Sequence, residues 1–128
     1  MFEIEISEIS SDRIIVANFT GDLHRKAIID FIDRMNAYEE AYPGFGLLFD
    51  LTNVTRVSVD IADFRSITGH LKEHDKTTGK TALLIGDNIG RYILAKLFVE
   101  LANAFRPNRE KTFRDKPEAL AWLVDDHT

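Results

Sequence analysis

Cysteine is absent from the 128 residues of the chain. Disulfide bonds, thiol nucleophiles and cysteine-ligated zinc or iron–sulfur sites are therefore excluded, and we expect a cytoplasmic location. No run approaches the roughly 20 consecutive apolar residues that a membrane-spanning helix needs, so we expect no transmembrane segment. The first residues, MFEIEISEISSDR, contain neither a basic stretch nor an apolar core. We therefore expect no secretory signal peptide.

Positive charge is also in deficit, because 16 Lys and Arg stand against 21 Asp and Glu, for a net charge of −5. Such a chain repels phosphate backbones, and we predict no nucleic-acid partner. One basic cluster is interrupted by Glu110 and Asp115, and we interpret it as a solvated loop. Its members are Arg106, Arg109, Lys111, Arg114 and Lys116. The apolar content of 45% and the length predict a single globular domain over residues 1–128.

Apolar residues alternate with polar ones in some stretches and recur every three or four positions in others. The first pattern predicts half-buried strands, and the second predicts helices with one apolar face. Unbroken apolar runs at 45–51 and 81–85 predict strands covered on both faces. We predict strands at 2–6, 14–19, 45–51, 81–85 and 111–115, and helices at 23–42, from 60 to about 73, 89–105 and 116–124. The apolar stripe of the second helix is Ile61, Phe64, Ile67 and Leu71.

The resulting order ββαβαβαβα predicts an α/β fold. Alternating strands and helices favour a mixed, mostly parallel sheet of about five strands with about four helices. The short link between the first two strands favours an antiparallel hairpin, which places an antiparallel strand at the edge of the sheet.

Four stretches in this order resemble a known family: FTGDL, LLFDLTNV, ALLIGD and KTFRDKPEALAWL. The chain is similar to the SpoIIAA-like domain of the STAS class, the fold of bacterial anti-sigma-factor antagonists, and especially to its small stand-alone branch. The resemblance covers nearly the whole chain. It implies a non-enzymatic regulatory module that binds a protein partner and needs no cofactor.

The resemblance also implies an Asp-Ser-Ser-Gly-type segment after the central strand, where a partner kinase phosphorylates one serine. At those positions this chain has Ser58, Val59, Asp60 and Ile61. The hydroxyl is missing from its expected place, and Asp60 supplies one fixed charge where a phosphate would add about −1.5 to −2. We therefore predict partner binding without the phosphoserine switch. A structural interpretation also holds, in which Ser58 or Asp60 caps the second helix and Thr52, Asn53 and Thr55 are residues of a loop over residues 52–60.

A second functional interpretation is a binding site for a small anionic or apolar ligand, formed by the loops after the central strands. Ligands of α/β folds bind at the carboxyl ends of the strands. Gly86 and Gly90 would allow a close approach of the backbone there. The candidate ligand-binding residues are Thr55, Ser58, Asp60, Asp87, Asn88 and Arg91. We find no base–nucleophile pair, and so predict no catalytic residues and no enzyme.

The stretch HLKEH, from His70 to His74, matches the H-x-x-E-H pattern of inverted zinc peptidases. The two imidazoles lie one helical turn apart, as shared metal ligands require. No third ligand follows at a suitable position, so we interpret the stretch as a solvated helix end and predict no metal site.

The predicted helix over residues 89–105 is apolar around most of its circumference. Between residues 92 and 105 only Lys96, Glu100 and Asn103 are polar, which leaves an apolar arc wider than one sheet face needs. Neighbouring helices or a second copy of the chain would cover it, and a homodimer is one expected partner arrangement. The interface candidates are Tyr92, Leu94, Phe98, Leu101 and Phe105.

Overall fold

The computed structural model describes residues 2–88, 95–96, 98–100, 102–103 and 109–124. Over these ranges the strands are β1 Phe2–Ile9, β2 Ile14–His24, β3 Gly46–Ser58, β4 Thr81–Leu84 and β5 Glu110–Phe113. The helices are α1 Arg25–Ala41, α2 Ile61–His74 and α3 Lys116–Val124. The described residues between Ala95 and Asn103 are also helical. The predicted α/β order of strands and helices is confirmed.

The strands form one five-stranded sheet in the order β1-β2-β3-β4-β5. β1 and β2 pair antiparallel, as the hairpin pattern predicted, and the other three pairs are parallel. The hairpin closes where Arg13 adopts a positive φ of 65°, while the Ser10 backbone N–H donates to the Ile14 carbonyl at 2.8 Å. The sheet therefore has the mixed character that the sequence indicated.

Both faces of the sheet are covered, which explains why the central strand is an unbroken apolar run. Leu47, Phe49 and Leu51 of β3 pack on the α1 side of the sheet, and Leu48 packs on the α3 side. The first side also contains Phe31 of α1. A parallel strand buried on both faces has no reason to alternate in polarity.

The ends of β2 and β3 differ from our prediction. We expected the first helix to start at Leu23, but β2 continues to His24, where Leu23 pairs with Val57 and His24 with Ser58. α1 begins at Arg25, and the His24 imidazole caps it by accepting a hydrogen bond from the Ala27 backbone N–H at 3.3 Å. Pairing between the two strands thus outweighs the local helical pattern.

The predicted helix over residues 89–105 lies partly outside the described residues. Within the part of the chain that the structure describes, no helix has both the length and the apolar character needed to cross a bilayer.

Candidate functional site

The segment that we expected to be a ligand-binding loop, residues 52–58, is strand. β3 runs through it to Ser58 because its residues continue to pair with β2, as Arg56 does with Asp22. The loop prediction was therefore wrong. Thr55 and Ser58 are exposed on this strand. Thr52 forms hydrogen bonds with a neighbouring side chain, since its backbone N–H and its hydroxyl both donate to Asp50 Oδ1, at 2.8 and 2.6 Å.

The start of α2 is fixed by a capping box between two carboxylates. Asp60 Oδ1 accepts a hydrogen bond from the Asp63 backbone N–H at 2.8 Å, and Asp63 Oδ2 accepts one from the Asp60 backbone N–H at 3.0 Å. Negative charge is favourable at this end of a helix, because the unpaired N–H groups give it a partial positive charge. Of the two predicted caps, Ser58 and Asp60, the structure selects Asp60.

Ile61 departs from the predicted stripe of α2. Phe64, Ile67 and Leu71 are buried as expected, but Ile61 is 71% exposed. It follows Asp60 directly and precedes Asp63, whose carboxylate lies 3.7 Å from the Arg25 guanidinium. We call residues 60–63 the contact turn, which presents an exposed branched side chain between two carboxylates.

The second predicted part of the ligand site follows β4. Gly86 has a φ of 66°, and a Cβ placed on it would lie 3.4 Å from the Thr52 side chain, so the turn after β4 lies against the middle of β3. Asp87 and Asn88 are exposed in this turn. Gly90 and Arg91, which would complete the anion site, lie outside the described residues.

Among the interface candidates, Tyr92, Leu94, Leu101 and Phe105 lie outside the described residues. Phe98 is half-buried and packs against the apolar clusters beneath both α1 and α2. Ala102, four positions later, is fully buried against α2. Part of the apolar arc is thus covered within the chain, which is the first of the two alternatives considered above.

The two histidines of the HLKEH stretch have other neighbours. His70 Nε2 lies 2.7 Å from Asp33 Oδ1 on α1, and the His74 ring is tilted against that of His70 at 4.6 Å between centroids. The contact joins α2 to α1. In the described ranges, no group of three His, Cys, Asp or Glu side chains could hold a metal ion.

Residues 75–80, the link between α2 and β4, form a hydrogen-bond network with Arg109 and Glu39 that the sequence did not indicate. The half-buried Arg109 guanidinium donates to the Thr77 carbonyl at 2.6 Å and to the Gly79 carbonyl at 2.9 Å, beside Asp75 at 3.6 Å. Glu39 of α1 accepts a hydrogen bond from the Thr78 hydroxyl at 2.8 Å. Our interpretation of Arg109 as part of a solvated loop was therefore wrong.

A cavity of about 110 Å³ lies between the sheet and the pair of helices α1 and α2. Sequence reasoning placed a pocket at the strand ends and did not anticipate one under the helices. A void depends on how side chains from several elements fit together, and no local pattern encodes it. Apolar groups lining it include Ile15, Phe31, Met35, Leu47, Phe49, Phe64, Leu83 and Phe98.

Comparisons with known proteins identify the fold. No family model and no curated protein is similar enough to this chain to count as a match. An uncharacterised protein of the DUF3478 family with a SpoIIAA-like fold from Shewanella loihica PV-4 is 21% identical, with 95% of this chain and 93% of that chain covered and a TM-score of 0.56. An anti-sigma factor antagonist from Mycobacterium paratuberculosis is 16% identical, with 98% and 96% covered and a TM-score of 0.60.

A third similar structure is the anti-sigma factor antagonist SpoIIAA in its unphosphorylated form, which is 14% identical. It covers 96% of this chain and 97% of its own, with a TM-score of 0.50. The chain therefore has a SpoIIAA-like fold, and the fold that the sequence resemblance implied is confirmed.

Proposed function

We propose that the chain is a non-enzymatic protein-interaction module that binds its partner through the contact turn without a phosphoserine switch. The observation that carries this proposal is the exposure of Ile61, at 71%, on a turn held rigid by the Asp60–Asp63 capping box. An apolar side chain on a preorganised turn binds with little loss of conformational entropy. Two of the three similar structures are anti-sigma factor antagonists, which agrees with a regulatory role.

The chemistry of the contact turn defines the surface that would fit it. Ile61 supplies a compact apolar anchor, and the carboxylates of Asp60 and Asp63 flank it. A complementary partner surface has an apolar pocket bordered by Lys or Arg side chains. The pocket would provide affinity, and the cations would provide orientation and a faster association rate.

The residue at the position of the expected serine supports a module without a phosphoserine switch. Asp60 carries a permanent negative charge, and its side chain is already engaged with the Asp63 backbone. A phosphorylated serine would instead add charge only when modified and so could turn binding on or off. We infer that this module is always in one binding state.

Purified from its native cells, the chain is therefore expected to show an intact mass that matches its sequence, with no added phosphate. The hydroxyl residues that shortly precede the contact turn, Thr55 and Ser58, lie on a paired strand, two to five residues before Asp60. Intact-mass spectrometry with peptide fragmentation checks this. A phosphate localised to Ser58 in the native protein would contradict the proposal.

Replacing Ile61 with aspartate is expected to weaken partner binding at least tenfold, because the anchor becomes a third carboxylate in the turn. The matched control is Val124→Asp, since Val124 is also an exposed apolar helical residue, at 45%, but lies in α3. Affinity capture from native extract with wild type and both variants, followed by titration of the captured protein, measures the difference. Equal capture of the partner by the two variants would refute the proposal that the contact turn binds it.

The partner can also be a second copy of the chain. Phe98→Glu is a poor test of a homodimer, because Phe98 packs against two internal clusters and its loss would disturb the fold. Sedimentation velocity of the wild type over a wide concentration range, repeated with Ile61→Asp, separates self-association through the contact turn from association through residues 92–105.

A further inference from the structure

The cavity under α1 and α2 is large for a protein interior. Cores are packed about as densely as organic crystals, with few voids larger than one water molecule, whose share of liquid volume is about 30 Å³. The cavity between the sheet and the two helices has a volume of about 110 Å³. Its walls come from three sides: Leu47 and Leu83 from the sheet, Phe31 from α1 and Phe64 from α2.

The lining is apolar over most of its extent, and most of its apolar residues are buried. Phe49 is 5% exposed and Leu83 is 4% exposed, so these parts of the wall are shielded from bulk water, while partly exposed residues such as Phe45 and Val57 line the rest. Water in such a space would lack hydrogen-bond partners, and apolar cavities of this kind stay dry. A dry cavity leaves its lining atoms without dispersion contacts on one side.

The polar groups of the lining gather at one end, where α1 meets the link of residues 75–80. Asn36 and Glu39 form hydrogen bonds there with their own surroundings, and the buried carboxylate of Glu110 also belongs to the lining. The Asn36 side chain donates to the His74 carbonyl at 2.8 Å and accepts from the Lys76 backbone N–H at 2.9 Å. Glu39 accepts from the Gly44 backbone N–H at 2.9 Å as well as from Thr78. A ligand with a charged or strongly polar head would have to displace these bonds.

We infer that this cavity is a binding site for a small, uncharged, apolar molecule of about the size of one benzene ring. Apolar cavities of about 150 Å³, lined by Leu, Ile and Phe, bind benzene or xenon, so the volume and the lining both match this class. A charged ligand would lose its hydration without compensation. The site goes beyond the proposed protein contact, because it lies on the inner face of α2 while Ile61 lies outside.

Titration of the purified wild type with benzene tests the site without any substitution. In methyl spectra, benzene is expected to shift the signals of Ile15, Leu47 and Leu83, which line the cavity. The signals of Leu48 and Leu84, on the α3 side of the same strands, are expected to stay in place. The Tm is expected to rise by about 4 °C when benzene is at ten times its Kd.

Substitutions at two neighbouring residues show on which face of the sheet benzene binds. Leu83→Phe fills the cavity and is expected to abolish the benzene-induced rise in Tm. Leu84→Phe adds the same volume in the α3-side cluster on the opposite face of the sheet, away from the cavity, so it is expected to lower the Tm by overpacking but to keep the rise with benzene.

Three results would overturn the inference. They are an unchanged wild-type spectrum at saturating benzene, equal shifts on both sides of the sheet, and a rise in Tm that survives in Leu83→Phe. If Leu83→Phe does not fold, the wild-type methyl spectra decide alone. None of these results bears on capture through Ile61, so the two proposals fail independently.

Discussion

Replacing Phe49 with alanine is expected to lower the free energy of unfolding by about 3–5 kcal/mol, the cost typical of deleting a buried aromatic side chain. Phe49 is 5% exposed in the central strand and stacks on Phe31 of α1 with 3.7 Å between ring centroids. The rings of Phe49 and of Phe19 in β2 also form an edge-to-face pair, with 6.1 Å between their centroids. The substitution therefore removes the contact that joins α1 to two strands, and it does so beside a cavity that already exists.

Urea denaturation followed by circular dichroism measures this loss. Thr55→Ala is the matched control, because Thr55 lies on the same strand but is exposed, and we expect a change within about 0.5 kcal/mol. Domains of this size have only about 5–15 kcal/mol to lose. Phe49→Leu provides a milder step if the alanine variant is largely unfolded. A loss below about 1 kcal/mol for Phe49→Ala would contradict the packing of α1 on β3.

Removing the Arg109 side chain is expected to cost about 3 kcal/mol. Hydrogen bonds that involve a charged group contribute about 1.5–3 kcal/mol each, and the guanidinium donates to carbonyls of both Thr77 and Gly79. Arg109→Ala leaves these carbonyls without their donor and Asp75 without its cation at 3.6 Å. Gly79 makes the arrangement tight, since any Cβ there would clash with the Phe45 carbonyl.

Urea denaturation of Arg109→Ala, Arg109→Lys and Lys116→Ala tests whether the hydrogen-bond geometry of the Arg109 guanidinium matters for stability. Lysine keeps the charge but not the planar fork of donors, so we expect an intermediate loss. Lys116 belongs to the same basic cluster but is exposed, and its replacement is expected to change stability by less than about 0.5 kcal/mol. Equal losses for Arg109→Lys and Lys116→Ala would mean that the fork geometry is irrelevant.

The sequence predicted those features that depend on local periodicity. The apolar run around Leu48 indicated a strand buried on both faces, which is confirmed, and Ser58 or Asp60 was predicted to cap the second helix, of which Asp60 is the cap. The strand of residues 52–58 was missed because its exposed Thr and Asn residues resemble a loop. There, pairing with β2 determines the conformation, and a partner strand that is distant in sequence leaves no local trace.

The site was less predictable than the fold for the same reason. Arg109 reaches carbonyls about thirty residues earlier in the chain, and no spacing rule links such positions. Ile61 is 71% exposed at the first position of α2, although its periodicity places it in line with the buried Phe64. The cavity forms where side chains from several elements leave space unfilled, and the periodicity of apolar residues in the sequence does not report how those side chains fit together.

The unequal lengths of the strands have a mechanical consequence. β4 ends its pairing with β3 at Asp50, and β1 ends its pairing with β2 at Gly21, so residues 22–24 and 56–58 continue as a two-stranded ribbon. Within the described ranges no further strand flanks this ribbon, and a two-stranded ribbon is twisted more strongly than a broad sheet. The Asp60 end of α2 follows this ribbon directly, so the twist of the ribbon sets the angle at which the contact turn faces a docking surface, while the capping box keeps the turn itself in one conformation.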